Sequence, residues 1–154
     1  MTNKIIISVD PGKATGLAIF KWVDGSEPII TSTFELQPHE FAEKVRHFLN
    51  FYANSDIEIL VVCEKFIINA QTVRNAQAPY SLEQIGVLKQ CLRDINIDEN
   101  SIIWQSPADA KAMFPNVALK TLGYWHKGGE GHALDALRHG LLTLVRKGWK
   151  PKAL

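Results

Sequence analysis

Short runs of consecutive apolar residues, many of them β-branched, alternate along the chain with segments whose apolar residues recur every three or four positions. The runs are typical of strands, because each is too short for a helix and is bounded by turn residues. They predict five strands, over residues 4–10, 16–23, 29–36, 57–64 and 102–105. Only an Asp-Pro-Gly turn and an Asp-Gly turn separate the first three strands, which predicts an antiparallel three-strand meander.

Helical spacing first follows the meander. Pro38 stands at a favoured first helical position, and we expect this helix to run to about residue 53. Ser81 and Gln84 match a capping box that would begin a helix over 81–93. The residues before it, 69–79, are interpreted as a loop.

Two further helices are predicted after the fifth strand. Ser106 is expected to cap a short helix that ends near residue 114, and the glycine-rich loop 127–131 precedes a last helix over 132–147. The order β-β-β-α-β-α-β-α predicts a single α/β domain over 1–154. Its mixed five-stranded sheet would combine the antiparallel meander with parallel crossover strands and would be flanked by helices.

Composition narrows the class of protein. With 154 residues, 46% of them hydrophobic, the chain has enough apolar mass for one core and too much for intrinsic disorder. No apolar stretch approaches the roughly 20 residues of a membrane helix, and no signal peptide is visible, so we expect a soluble, cytoplasmic protein without membrane contact. Cys63 and Cys91 lack metal-ligand spacing and are interpreted as reduced packing residues. A net charge of +1 excludes a global basic field, so any nucleic-acid surface would be local.

The last predicted helix separates into two sides. A leucine stripe occupies one side, while His132, Asp135 and His139 fall on the other. A carboxylate and an imidazole three residues apart can reach one object together. The alternative is that His132 and Asp135 are solvated first-turn residues, with Asp135 complementing the helix dipole. His139 is interpreted as a surface histidine, with support of the polar side chains as the alternative.

Two carboxylates stand at predicted strand ends. Asp10 precedes Pro-Gly, and Glu64 closes the fourth strand. Either residue could have a purely structural role, Asp10 as a turn initiator and Glu64 as a solvated residue at a strand end. If the strands are neighbours, however, these carboxylates and the start of the last helix can converge. Clustered carboxylates repel one another unless a cation lies between them, and such ligands suit Mg²⁺ or Mn²⁺ in the two-metal sites that hydrolyse phosphodiesters.

Three features of the chain together resemble the RuvC-like Holliday junction resolvases of the RNase H-like fold. They are Ile7-Ser-Val-Asp-Pro-Gly followed by Thr15-Gly16, Glu64 at its strand end, and His132-Ala-Leu-Asp135-Ala-Leu in the last helix. Through element order the resemblance covers nearly the whole chain. It implies that Asp10, Glu64, His132 and Asp135 form the metal-binding site, with Asp10 bridging two metals. Some family members have Asp where this chain has His132.

The resemblance also implies the substrate and the assembly. The family cuts four-way DNA junctions as a homodimer and leaves 5′-phosphate and 3′-hydroxyl ends. The apolar face of the helix over 81–93 is a candidate dimer interface, with core packing as the alternative. Lys111 and Lys120 match basic residues near the scissile phosphate. Phe66 is the nearest match to the family's aromatic residue after the second acidic ligand, although the spacing is one residue shorter.

A local basic face is a further candidate for DNA contact. Four cations face a single Glu83 between positions 65 and 93, and they are Lys65, Arg74, Lys89 and Arg93. The sequence leaves three other functions open. A nuclease of the same fold could act on flaps, forks or RNA-containing duplexes, and a non-catalytic junction-binding protein could keep the fold. An ATPase of the actin and sugar-kinase type is disfavoured, because it needs two such domains.

Overall fold

In a computed structural model of the protein, residues 3–74, 78–129 and 131–152 are described. The strands in this part of the chain are β1 (Asn3–Asp10), β2 (Thr15–Val23), β3 (Ile29–Leu36), β4 (Glu58–Glu64) and β5 (Ile103–Gln105). The helices are α1 (Pro38–Ala53), α2 (Ala70–Arg74), α3 (Ala78–Asp94), α4 (Pro107–Met113), α5 (Asn116–Leu122) and α6 (His132–Arg146), and Glu99–Ser101 form a 3-10 turn.

The strands form one sheet in the order β3-β2-β1-β4-β5. β1 pairs antiparallel with β2 and β2 with β3, while β4 lies parallel to both β1 and β5. The predicted meander, parallel strands and flanking helices are therefore confirmed.

Both faces of the sheet are buried, because successive side chains of a strand point to opposite sides. Ile5, Ile7 and Val9 of β1 pack in one core with residues of α1 and α3. Ile6 packs in a second core with residues of α4, α5 and α6. Cys63 and Cys91 are free and buried in the first core, as predicted.

The region between β4 and α3 departs from the prediction. Helix α3 begins at Ala78, so Ser81 lies inside it and does not cap it. The buried Ser81 hydroxyl instead donates to the Pro11 carbonyl at 3.1 Å, a contact across the fold that replaces the expected capping box. The expected loop also contains α2, where Asn69 Oδ1 accepts from the Thr72 amide at 2.9 Å. Residues 75–77 of that loop lie outside the described part of the chain.

Most of the apolar face of α3 lies in the core. Leu88 and Leu92 are fully buried, whereas Leu82 is exposed, so this face has the core role that was the alternative to a dimer interface. Helix α5 was not predicted at all, although Pro115 at its start and Gly123 at its end, with φ 79°, are ordinary helix-boundary signals.

Candidate active site

The four predicted metal ligands lie around one cleft. Val9 and Cys63 are paired on the parallel strands β1 and β4. The next residues, Asp10 and Glu64, are the last of their strands and therefore lie side by side at the carboxyl ends of the two strands. Both point to the face covered by α6, whose first turn carries His132 and Asp135. All four line a cleft of about 340 Å³.

A glycine allows α6 to approach this edge. Gly16 is paired with Asp10 across β1 and β2. A Cβ added to Gly16 would lie 1.9 Å from the His132 carbonyl oxygen, so any side chain at this position would clash with the α6 backbone. Gly140 has a similar role one layer deeper, because a Cβ there would lie 2.1 Å from the Phe20 ring. Gly16, of the Thr-Gly pair after the first turn, thus allows the start of α6 to lie beside Asp10.

Asp10 and His132 form an ion pair at the centre of the cleft. Asp10 Oδ2 lies 3.1 Å from His132 Nδ1, and the Asp10 side chain is only 10% exposed. Burial raises the pKa of Asp10 well above its usual range, and repulsion from Glu64 and Asp135 adds to the effect, while the His132 hydrogen bond opposes it. The hydrogen bond to Asp10 raises the pKa of His132 to about 9, against the effect of burial. Both groups hold their protons more tightly than isolated groups do, and part of the cause is the surrounding negative charge.

Glu64 is held by a buried network that the sequence did not indicate. His139 Nε2 lies 2.8 Å from Glu64 Oε2, and His139 Nδ1 lies 3.0 Å from Gln105 Oε1. His139 is 1% exposed, so its interpretation as a surface histidine is wrong, and its alternative role behind the polar side chains fits the geometry. The polar side of α6 packs on the strand ends instead of facing solvent.

The hydrogen bonds of Thr143 determine how the Gln105 amide is oriented. The Thr143 hydroxyl donates to the His139 carbonyl at 3.0 Å, so it accepts from Gln105 Nε2 at 2.7 Å. Gln105 Oε1 therefore faces His139, and Nδ1 must donate to it. An ionised Glu64 carboxylate can only accept in its hydrogen bond with His139 Nε2.

Asp135 is held by a buried arginine. Arg138 Nη1 donates to Asp135 Oδ1 at 2.8 Å, and its Nε donates to the Phe114 carbonyl at 2.7 Å. Arg138 Nη2 also donates to Asn116 Oδ1, which ties the α4–α5 junction to α6. Lys111, exposed, has its Nζ 3.9 Å from Asp135 Oδ2. Arg138 was not predicted, because an arginine in a helix is ordinarily assigned to solvent.

A further unpredicted carboxylate, Glu35 at the end of β3, accepts from the His132 backbone amide at 3.3 Å. It adds to the negative charge that raises the pKa of His132. Among residues 3–74, 78–129 and 131–152, no group of three or more His, Cys, Asp or Glu side chains is arranged as a metal site. Each of the three cleft carboxylates contacts a histidine or an arginine.

The donor set nevertheless fits a hard divalent cation. Three carboxylates and an imidazole line the cleft, and they are the oxygen and nitrogen ligands that Mg²⁺ and Mn²⁺ accept. The buried Asp10 carboxylate sits between two further carboxylates that disfavour its ionised form, and a cation would relieve that repulsion. The metal site itself stays a prediction.

The predicted DNA-contacting residues are spread over several elements. Lys65 and Phe66 line the cleft, Lys65 exposed and Phe66 half-buried. Arg74 ends α2, with its Nε on the Ala70 carbonyl at 3.1 Å. On α3, Lys89 lies over the Trp104 ring at 5.9 Å, and Arg93 is ion-paired with Glu99 at 2.8 Å.

Lys120, the other predicted basic residue, is exposed on α5. Its Nζ lies 4.7 Å from the centre of the Trp125 ring. Lys120 therefore differs from Lys111, which directly approaches a cleft carboxylate.

In the described part of the chain, no helix is long and apolar enough to cross a membrane.

Solved structures of similar fold extend over almost the whole chain. Thermus thermophilus RuvC in complex with a Holliday junction substrate is 14% identical, with a TM-score of 0.69 over 94% of this chain and 96% of that one. Another structure of T. thermophilus RuvC is 15% identical, with a TM-score of 0.66 and the same coverage of both chains. The fowlpox virus resolvase in complex with Holliday junction DNA is 17% identical, with a TM-score of 0.59 over 94% of this chain and 99% of that one.

No protein-family model and no curated protein matches the sequence. At these low identities the structural likeness establishes the fold alone. The chain has the fold of the RuvC-like Holliday junction resolvases, which confirms the RNase H-like fold implied by the sequence motifs.

Proposed function

We propose that this protein is a metal-dependent, structure-selective DNA endonuclease that resolves four-way junctions by paired symmetric cuts. The single observation that carries the proposal is the cleft in which Asp10, Glu64, His132 and Asp135 meet. It occurs in a fold shared with two proteins whose structures hold Holliday junctions. The chain would act as one nuclease domain, and two copies related by a twofold axis would cut opposite strands.

Asp10, Glu64, Asp135 and His132 would hold Mg²⁺ or Mn²⁺. When bound, a pair of these ions supplies an activated water and neutralises charge on the cleaved phosphate. In the net hydrolysis, the oxygen of water would form a new bond to phosphorus while the bond from phosphorus to the 3′ oxygen breaks, and the departing 3′ oxygen would gain a proton to replace the one that water loses, which leaves 5′-phosphate and 3′-hydroxyl ends. His132 would need to release Asp10 for both to become ligands, because they now bond each other.

Other side chains would hold the ligands and the DNA. His139 and Arg138 each bond one carboxylate oxygen, of Glu64 and Asp135, and so fix how these side chains face the cleft. Lys111 stands where its charge can meet a phosphate oxygen beside Asp135. Lys65 and Phe66, which follow Glu64 and also line the cleft, would contact the branch of the junction.

A substrate panel tests this function. Wild type, Asp10→Asn and Asp56→Asn are incubated with a four-way junction, a linear duplex and a flap of matched length, with Mg²⁺, Mn²⁺ or EDTA. Asp56 is an exposed control that precedes β4 at the end of the strand opposite to Glu64. We expect metal-dependent cutting of the junction by wild type and Asp56→Asn, and junction binding without cutting by Asp10→Asn.

Other outcomes contradict the proposal in separable ways. Metal-dependent cutting confined to flaps or forks would change the substrate and keep the site. Tight junction binding without cutting under any metal would make the protein a structural binder. Undiminished cutting by Asp10→Asn would remove the proposed site.

A further inference from the structure

A second cleft adjoins the candidate active site. It has a volume of about 640 Å³ and lies between the α5–α6 loop and α6, and we call it the α5–α6 cleft. Asp135 lines both this cleft and the candidate active site, so the two cavities adjoin at this residue. The volume falls within the range of about 300–1,000 Å³ typical of sites for small molecules and cofactors.

The charge of the α5–α6 cleft suits an anion. Lys111 and Lys127 line it and are exposed. Among the described residues that line the cleft, the one acid is Asp135, and the buried Arg138 donates to it at 2.8 Å and offsets its charge. Gly128 and Gly129, which also line the cleft, have φ values of 122° and 62° that glycine adopts without strain. The Gly128 backbone can come close to a ligand because a Cβ there would meet nothing within 4 Å, whereas the space beside Gly129 is filled by the Glu35 carboxylate, 2.3 Å from an added Cβ.

Trp125 contributes an aromatic ring to the wall of the α5–α6 cleft. The Tyr124 amide donates to the Leu119 carbonyl at 2.9 Å, and the Trp125 amide donates to the same carbonyl at 3.2 Å. These bonds hold the Trp125 backbone at the end of α5, and its half-buried ring packs against the second core. Lys120 Nζ lies 4.7 Å from the ring centre, so a base that stacks on this ring would lie beside that ammonium or displace it. Trp rings bind unpaired bases by stacking, and nearby cations bind the phosphates.

We propose that the α5–α6 cleft binds one nucleotide of the cleaved strand next to the scissile phosphate, with its base on Trp125 and its phosphate on Lys127. The inference rests on the proposed function and adds to it a binding site for an unpaired nucleotide. No residue assigned to DNA by the sequence motifs lies in this cleft except Lys111. The chemistry recognised is an unstacked base with a 5′ or 3′ phosphodiester, such as a junction supplies where its strands exchange.

Binding of a junction in EDTA, without cutting, tests the nucleotide site first. Trp125→Ala is expected to weaken binding roughly 5- to 150-fold, the worth of about one base–aromatic stack. Trp125→Phe keeps an aromatic face and should recover most of the affinity. Lys127→Ala should lower the slope of log affinity against log salt by about one.

Lys21→Ala is the matched control, because Lys21 is exposed and pairs with Ile5, at the end of β1 away from Asp10. It should leave affinity and salt slope as in wild type. Thermal melts of all variants separate loss of binding from loss of folding. The folded Trp125→Phe and Lys127→Ala proteins keep the test valid if Trp125→Ala unfolds.

Photocrosslinking locates the contact. A single 5-iododeoxyuridine is placed in turn at each position within three nucleotides of the cut, and crosslinked peptides are identified by mass spectrometry. We expect a crosslink to Trp125 from a base directly beside the scissile phosphate. The nucleotide site alone would be overturned if the wild-type protein binds the junction but gives no such crosslink, and if Trp125→Ala and Lys127→Ala both bind the junction as tightly as the wild type. Failure of wild type to bind the junction at all would overturn the proposed function.

Discussion

Removal of the His139 imidazole should strongly destabilise the metal-free protein. His139 is 1% exposed and bonds both Glu64 and Gln105. His139→Ala would leave the buried Gln105 oxygen without a donor and Glu64 without its partner. Each loss costs about 1–3 kcal/mol, so we expect the free energy of unfolding to fall by about 2–6 kcal/mol. That is a large share of the roughly 5–15 kcal/mol typical of a whole domain.

Urea unfolding in EDTA, followed by circular dichroism, measures this change. His39→Ala removes an exposed histidine of α1 and should change the free energy of unfolding by no more than about 0.5 kcal/mol. A loss below about 1 kcal/mol for His139→Ala would refute the hydrogen-bonded network. Under conditions where the variant is folded, its affinity for Mn²⁺ should fall about 10- to 100-fold, because Glu64 is no longer oriented. An unchanged affinity would refute the positioning role.

Two further predictions concern the start of α6. Gly16→Ala would force the His132 backbone away from the sheet edge and should cost about 3 kcal/mol of unfolding free energy. Gly86→Ala, in open space on a helix, should gain about 0.5–1 kcal/mol, and equal effects of the two would disprove the close approach. His132 should titrate near pH 9 by NMR in metal-free protein, retaining its proton at neutral pH. In Asp10→Asn its pKa should fall toward about 6.5, and a pKa unchanged by that substitution would contradict the ion pair.

Much of the site follows from local signals. Asp10 and Glu64 end apolar strands, and strand ends can be located from hydrophobic runs and turn residues alone. The start of α6 follows from the glycine-rich loop before it. The convergence of Asp10 and Glu64 needed one further fact, that β1 and β4 are parallel neighbours. The approach of α6 also needed its close packing on Gly16.

The residues behind the ligands could not be predicted in the same way. Helical periodicity places His139 on one side of α6, but it does not show that this side packs on strand ends. Arg138 bonds Asp135 on its own helix, but it also bonds the Phe114 carbonyl and Asn116 Oδ1 from a distant segment, an arrangement set by tertiary structure. For Ser81 a tertiary contact to Pro11 displaced a local capping pattern.

Mapping the cuts on a four-way junction tests the central claim most directly. Each strand is end-labelled in turn, the junction is incubated with wild type and Mg²⁺ or Mn²⁺, and products are resolved at single-nucleotide resolution with their end groups identified. The account predicts two cuts at symmetric positions on opposite strands, with 5′-phosphate and 3′-hydroxyl ends, both abolished by EDTA and by Asp10→Asn. Cuts that persist in EDTA, or that persist in Asp10→Asn, would contradict it.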